Sequence, residues 1–240
     1  LTNHVLESTA PDLKHIALLG TATDHVSLEA TRRLSVVVTN TPNSSTVAVA
    51  EHALALLFSL ARKIPQLDQR VRLGEWPGGQ LTQLAGKTLG IVGTGLVGIQ
   101  LALIAEGVGM RILVNSLSES AKEGDSSNRT EVSFSELLEN SDAISVHARL
   151  TPETRMMFGA SEFSKMKPTA LFINTARGDL VDSGALVEAL SNETIAGAAL
   201  DVFSSEPLNS QSMLTQLPNL ILTPHIASNT NEALIVSLNM

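Results

Sequence analysis

An α/β fold built on a doubly wound parallel sheet, with a second, smaller body ahead of it, is predicted for this 240-residue chain by three observations. Six short β-rich runs recur after Leu89, each followed by a polar turn and a helix-like segment, the rhythm of parallel strands joined by crossover helices. The first run closes on the glycine-rich stretch LGIVGTGLVG, Leu89 to Gly98, and opens a helix-like segment at Leu96. Two more β-like runs precede that stretch and belong to a separate body.

Taken in order, the early body holds Ile16–Leu19 and Val36–Val38 as strands around the helix-like Ser27–Arg33. Thr39–Ser45, TNTPNSS, is turn-rich and leads into VAVAEHALALLFSLAR. There Val47, Ala50, Leu54, Leu57 and Ala61 share one helical stripe, and Val49, Ala53 and Leu56 make the other faces apolar, which predicts a buried helix. A boundary near Pro42 divides the chain into residues 1–41, 42–225 and a return segment 226–240. The later strands are Leu89–Gly93, Arg111–Val114, Ala143–His147, Ala170–Asn174, Gly197–Asp201 and Leu220–Leu222, short enough to be covered on both faces. The helices between them are Leu96–Glu106, Ser135–Asn140 and Asp182–Ser191, the last capped by Asp182. Glu119–Thr130 reads as a polar, Ser-rich loop.

Composition narrows the partners. With 24 acidic against 16 basic residues the formal charge is -8, and no basic run interrupts it. A nucleic-acid groove or an anionic membrane surface is therefore not expected. The absence of cysteine excludes disulfides and thiolate metal sites and suits the reducing cytoplasm. No metal site is expected, and no apolar run reaches the roughly 18 residues of a spanning helix. The chain opens at Leu1, without a methionine or a charged leader.

Gly93, Gly95 and Gly98 have the G-x-G-x-x-G spacing that lets a backbone approach a dinucleotide pyrophosphate. Thr94, Leu96 and Val97 complete the loop, whose amides and positive helix end converge on one phosphate position. This is the signature of a Rossmann dinucleotide-binding domain, which ordinarily has an acid at the end of the second strand for the ribose hydroxyls of NAD. Here that strand runs into Asn115, Ser116 and Leu117, and the first acid is Glu119. Without a carboxylate the pocket loses both the ribose bonds and the repulsion that excludes a 2'-phosphate, so NADP is slightly favoured over NAD. The alternative is NAD held by Ser116 or by a returning Glu119.

Three more stretches carry chemistry, each just past a strand: NTARGDLVD with Arg177, DVFSSEP with Glu206 and TPHIAS with His225. In doubly wound sheets ligands bind beyond the carboxyl ends of the strands, so the three point to one crevice. Arginine's planar fork suits a carboxylate. Histidine exchanges a proton near neutral pH, and a neighbouring carboxylate orients its ring. Together they describe a site for a 2-oxo acid whose carbonyl oxygen is protonated as hydride arrives. His147 ends the third strand near the adenine side, and His52 reads as a helix-packing residue.

The segments VTNTP, AVAEHALALL, GKTLGIVGTGLVG, LTPETR, FINTARGDLVD, AALDVFSSEP and LTPHIAS resemble the D-isomer-specific 2-hydroxyacid dehydrogenase family in their order. The intervals agree too, at 29 residues from Arg177 to Glu206 and 19 from Glu206 to His225. The resemblance implies an NAD(P)-dependent oxidoreductase acting on a small 2-oxo or D-2-hydroxy acid, glyoxylate or hydroxypyruvate being the candidates. It implies Arg177 as substrate anchor, His225 as acid/base and Glu206 as its support. Asp201 is implied at the nicotinamide carboxamide, Thr175 and Ala176 at the cofactor, and Gly20, Thr21 and Ala22 in a loop whose amides receive the substrate carboxylate. It further implies a homodimer joined through Ala53–Trp76, and a flavodoxin-like substrate domain of which this chain keeps a part, as if truncated at both ends. Where the family's turn after the third strand reads H-x-P, this chain has His147, Ala148 and Arg149, which makes Arg149 a candidate for the 2'-phosphate. A nucleotide-binding corepressor-like module and an inactive fragment stand beside the enzyme as alternatives.

Overall fold

The computed structural model describes residues 3–9, 12–117 and 129–240, and the chain divides into two compact units. The first comprises Leu1–Ala48 with Ser228–Met240, and the second Val49–Ala227.

In the first unit α1 (Asn3–Thr9) precedes β1 (His15–Leu18), α2 (Leu28–Arg33) and β2 (Val37–Asn40). The two strands pair in parallel, His15 opposite Val37. Neither strand buries a residue fully, and the small core gathers instead around Leu6, Val26, Ala30 and Val36. Ser27 caps α2 by accepting from Ala30 N. β2 starts one residue later than its sequence suggests because the buried Val36 closes the turn after α2, its amide donating to Thr31 O.

The helix α3 (Thr46–Ala61) leads through α4 (Ile64–Arg72) into the sheet of the second unit. There follow β3 (Thr88–Val92), α5 (Leu96–Gly107), β4 (Arg111–Asn115), β5 (Arg129–Glu131), α6 (Phe134–Asn140) and β6 (Ala143–Val146). Then come α7 (Ala160–Lys165), β7 (Leu171–Asn174), α8 (Ser183–Ser191), β8 (Gly197–Leu200) and β9 (Leu220–Leu222), while α9 (Asn231–Leu238) returns to the first unit. All seven strands from β3 to β9 are parallel, in the order β5-β4-β3-β6-β7-β8-β9. The order reverses at β3, whose neighbours are β4 and β6, and the glycine loop leaves β3 at that switch point.

Every residue of β3, β6, β7 and β8 is buried, as befits strands sandwiched between helical layers. Alternation splits them between two cores. Phe172 joins Phe158, Phe163, Leu137 and Leu186 on one face, while Ile91 and Ile173 meet Ala53, Leu57, Leu101 and Ala105 on the other. The first core includes edge-on aromatic pairs, Phe158 to Phe172 at 5.0 Å and Phe163 to Phe172 at 5.4 Å. α3 is buried through Ala50, Ala53, Leu56, Leu57, Leu60 and Ala61, although Val47 of the expected stripe is exposed.

The seventh strand corrects the sequence reading, because Arg129 and Thr130 leave the expected loop and pair with β4, Ile112 opposite Arg129. A three-residue polar edge strand has no alternation to betray it and is held by the ladder alone. The rest of that loop, including Glu119, lies outside the described residues. The helices α1, α4, α7 and α9 have no clear signature in the sequence; α4 buries none of its residues and so carries no core stripe.

Candidate active site

The glycine loop is shaped by contacts that exclude side chains at two of its three glycines. Gly93 has φ +99, and a Cβ there would lie 2.7 Å from the backbone of His147. A Cβ on Gly98 would lie 2.2 Å from Gly93 O, whereas Gly95 faces open space. α5 starts after Gly95 without a side-chain cap, and its first internal bond is Ile99 N to Gly95 O. The N–H groups of Leu96, Val97 and Gly98 are thus the free donors of a helix N-terminus. Two buried oxygens at the carboxyl ends of strands, Asn115 Oδ1 on the last residue of β4 and Thr175 Oγ1 just after β7, have no partner. Open space over Gly95, free amides and orphaned acceptors fit a dinucleotide.

After β4, Thr94 Oγ1 donates to Ser116 Oγ at 3.3 Å, so the position normally held by an acid abuts the glycine loop. Asn115 Nδ2 donates to Val132 O. His147 bonds Ser145 Oγ at 2.9 Å, and burial pushes its ring down to about 4, leaving it neutral at physiological pH. Arg149 is exposed beyond it, its carbonyl accepting from Thr154 Oγ1.

The turn carrying Arg177 is built by Asn174, a wholly buried residue that sequence reading missed. Its Oδ1 accepts from Ala176 N at 3.0 Å and its Nδ2 donates to Arg177 O at 2.8 Å, an asparagine turn whose only sequence signal is Asn ending an apolar run. Arg177 Nη1 donates to Ala176 O. Gly178 packs directly on the backbone of Phe203 and Ser204, which brings the Arg177 turn against the segment leading to Glu206.

His225 Nδ1 and Glu206 Oε2 are 2.6 Å apart, and Glu206 Oε1 accepts from Phe203 N at 2.9 Å. The carboxylate is therefore fixed at both oxygens, and it holds the Nδ1 proton so that Nε2 is presented outward. His225 takes a left-handed backbone, φ +54.

Asp201 directly follows β8. Its side chain is fully buried, Oδ1 accepting from Thr223 Oγ1 at 2.6 Å and Ile226 N at 3.0 Å, and Oδ2 from Ala227 N at 2.9 Å. Its oxygens hold the chain that carries His225. Burial alone would raise this carboxyl, but the nearby His52 ring and the hydrogen bonds from Thr223, Ile226 and Ala227 outweigh it and hold it below the ordinary range. Such a group stabilises the fold above its unfolded value and loses that contribution as pH falls through the lowered one.

In the first unit Gly20 N donates to Thr41 Oγ1 at 2.8 Å, so the amides left in that loop for an anion are those of Thr21 and Ala22. Among the described residues no group of three or more His, Asp or Glu stands where it would hold a metal, and no helix is long and apolar enough to cross a membrane.

Residues 54–227 match the family model described as D-isomer specific 2-hydroxyacid dehydrogenase, NAD binding domain. The chain is 43% identical to a glyoxylate reductase of Aeropyrum pernix over 95% of its own length and 70% of that protein's. It superposes on a D-lactate dehydrogenase from Aquifex aeolicus, solved with NAD and lactic acid, with a TM-score of 0.86 and 31% identity, over 100% of this chain and 77% of that one. An acyclic imino acid reductase solved with NADPH and D-Arg is similar to the same degree, TM-score 0.86 and 31% identity, over 100% and 76%.

Proposed function

The chain belongs to the D-isomer specific 2-hydroxyacid dehydrogenase family, and from that premise we propose an NAD(P)-dependent reductase of a small 2-oxo acid, glyoxylate or hydroxypyruvate, that yields the D-2-hydroxy acid. The observation that carries the site assignment is the 2.6 Å pair of His225 and Glu206 at the carboxyl edge of the sheet. When bound, the nicotinamide supplies the hydride. Protonated His225 donates from Nε2 to the carbonyl oxygen, and Glu206 keeps the ring in the orientation and tautomer that make this possible. Arg177 binds the carboxylate and polarises the carbonyl, an electrostatic contribution that a dry site strengthens. The test is oxidation of NADPH and NADH by the purified chain with glyoxylate, hydroxypyruvate and pyruvate; the absence of turnover with either cofactor would refute the reading.

NADPH is the proposed preference, supported by Ser116 beside Thr94 and by the exposed Arg149. Ser116→Asp is expected to shift the kcat/KM ratio toward NADH by about tenfold, roughly 1.4 kcal/mol. Arg149→Ala is expected to weaken NADPH by a similar factor while sparing NADH. An unchanged NADPH-to-NADH affinity ratio in Arg149→Ala would remove the assignment of that residue.

A homodimer is also proposed, through the Ala53–Trp76 segment and the stretch that follows it. Ile64, Val71, Leu73 and Leu81 are exposed there, and Trp76 is 90% exposed, an apolar grouping of the kind that marks an interface. Sedimentation should give twice the chain mass of 25.4 kDa, and Trp76→Glu should halve it; a wild-type monomer at micromolar concentration would refute the dimer.

A further inference from the structure

In sequence His52 reads as a packing residue of α3, yet its ring does not simply fill space. His52 Nε2 lies 3.1 Å from Thr223 Oγ1 and 3.5 Å from Asp201 Oδ1. The Thr223 hydroxyl has one proton, and the 2.6 Å contact commits it to the Asp201 carboxylate, which has none to give. Thr223 Oγ1 therefore accepts from His52, and His52 must carry its proton on Nε2. A directed chain results, from His52 to Thr223 to Asp201.

That chain ends on the loop of the acid/base. Thr223 N donates to Leu200 O and His225 N to Thr223 O. Beyond His225, Asp201 takes the amides of Ile226 and Ala227. Both flanks of His225 are thereby tied to the end of β8, which holds its backbone at φ +54, a conformation a histidine does not adopt freely. The same stretch after β8 carries Phe203, whose amide fixes Glu206. The imidazole and its carboxylate are thus positioned from one place, and His52 closes the network from a different helix.

We propose that His52 is a positioning residue for the reaction, holding the His225 loop through Thr223 and Asp201. The inference rests on His225 being the acid/base. Without the Nε2 donor, the Thr223 hydroxyl is free to turn away from Asp201, and the His225 loop gains freedom. Small misplacements of a reacting group cost up to about 100-fold in rate.

The experiment compares wild type with His52→Leu, His52→Gln, Thr223→Val and His225→Gln. His52→Leu is expected to lower kcat by about 10 to 100-fold with KM for NADPH within about threefold. His52→Gln, whose amide donates from a similar reach, should recover most of that loss. The 15N shifts of the neutral His225 ring report the same event without turnover: a ring held as the Nδ1–H tautomer in wild type should move toward a tautomer mixture in His52→Leu. A folded His52→Leu with wild-type kcat and unmoved His225 shifts overturns the proposal. Should His52→Leu not fold, Thr223→Val preserves side-chain shape and decides by the same two readouts. Loss of rate in His225→Gln but not in His52→Leu defeats this inference alone. Full turnover in His225→Gln, or none in wild type, defeats the functional reading, and the ring shifts then still decide the positioning role.

Discussion

His225→Gln is expected to lower kcat by about 100 to 10,000-fold, the range that a positioned acid contributes, while NADPH affinity changes by no more than about threefold. Glutamine keeps a polar group of similar size and can still donate a hydrogen bond to Glu206, so the 2.6 Å pairing has a substitute. What it cannot do is release a proton to a carbonyl oxygen. The loss should therefore fall on the chemical step, seen as a slow single turnover with full occupancy of the cofactor by fluorescence titration. Glu206→Gln should show a smaller loss, because His225 remains able to transfer a proton but its tautomer and orientation are less defined. Equal kcat in wild type and His225→Gln would mean that the proton comes from elsewhere, and the assignment of Arg177, Glu206 and His225 as one site would fail with it.

Gly178→Ala is the second large effect, and it arises from backbone packing rather than from a charged group. A Cβ at residue 178 would lie 2.0 Å from Phe203 C, 2.3 Å from Ser204 N and 2.4 Å from Phe203 O. All three are backbone atoms, so no rotamer change relieves the contact and one of the two segments must move. Overpacking of this kind costs about 1–3 kcal/mol or more, read as a lowered midpoint in denaturant. The segments forced apart are the Arg177 turn and the stretch leading to Glu206, so the substrate anchor and the histidine's partner are displaced together. A fall of about 100-fold in kcat/KM is expected in the folded protein. Stability and kcat/KM both at wild-type levels would show that the close packing of these two turns is dispensable.

The residues of the candidate site are readable in the sequence as candidates because their chemistry is local. Gly93, Gly95 and Gly98 announce a loop through spacing alone, and Arg177, Glu206 and His225 each follow an apolar run. Strand positions in the second unit were readable for the same reason, since β3, β6, β7 and β8 are short apolar segments buried on both faces. β5 was not readable, being three residues without alternation that exist as a strand only beside β4.

What the sequence by itself determined is the α/β class, the glycine loop, the missing acid at Ser116 and the identity of the polar residues after the strands. Only the tertiary structure decided what those polar residues touch. Asp201 accepts from Thr223, Ile226 and Ala227, Asn174 is the staple of the Arg177 turn, and His52 meets Thr223 across 171 positions of sequence. Periodicity and spacing report the backbone's local preferences and its burial. A hydrogen bond between residues distant in the chain depends on the register of the sheet and the packing of helices on it, which no local pattern records.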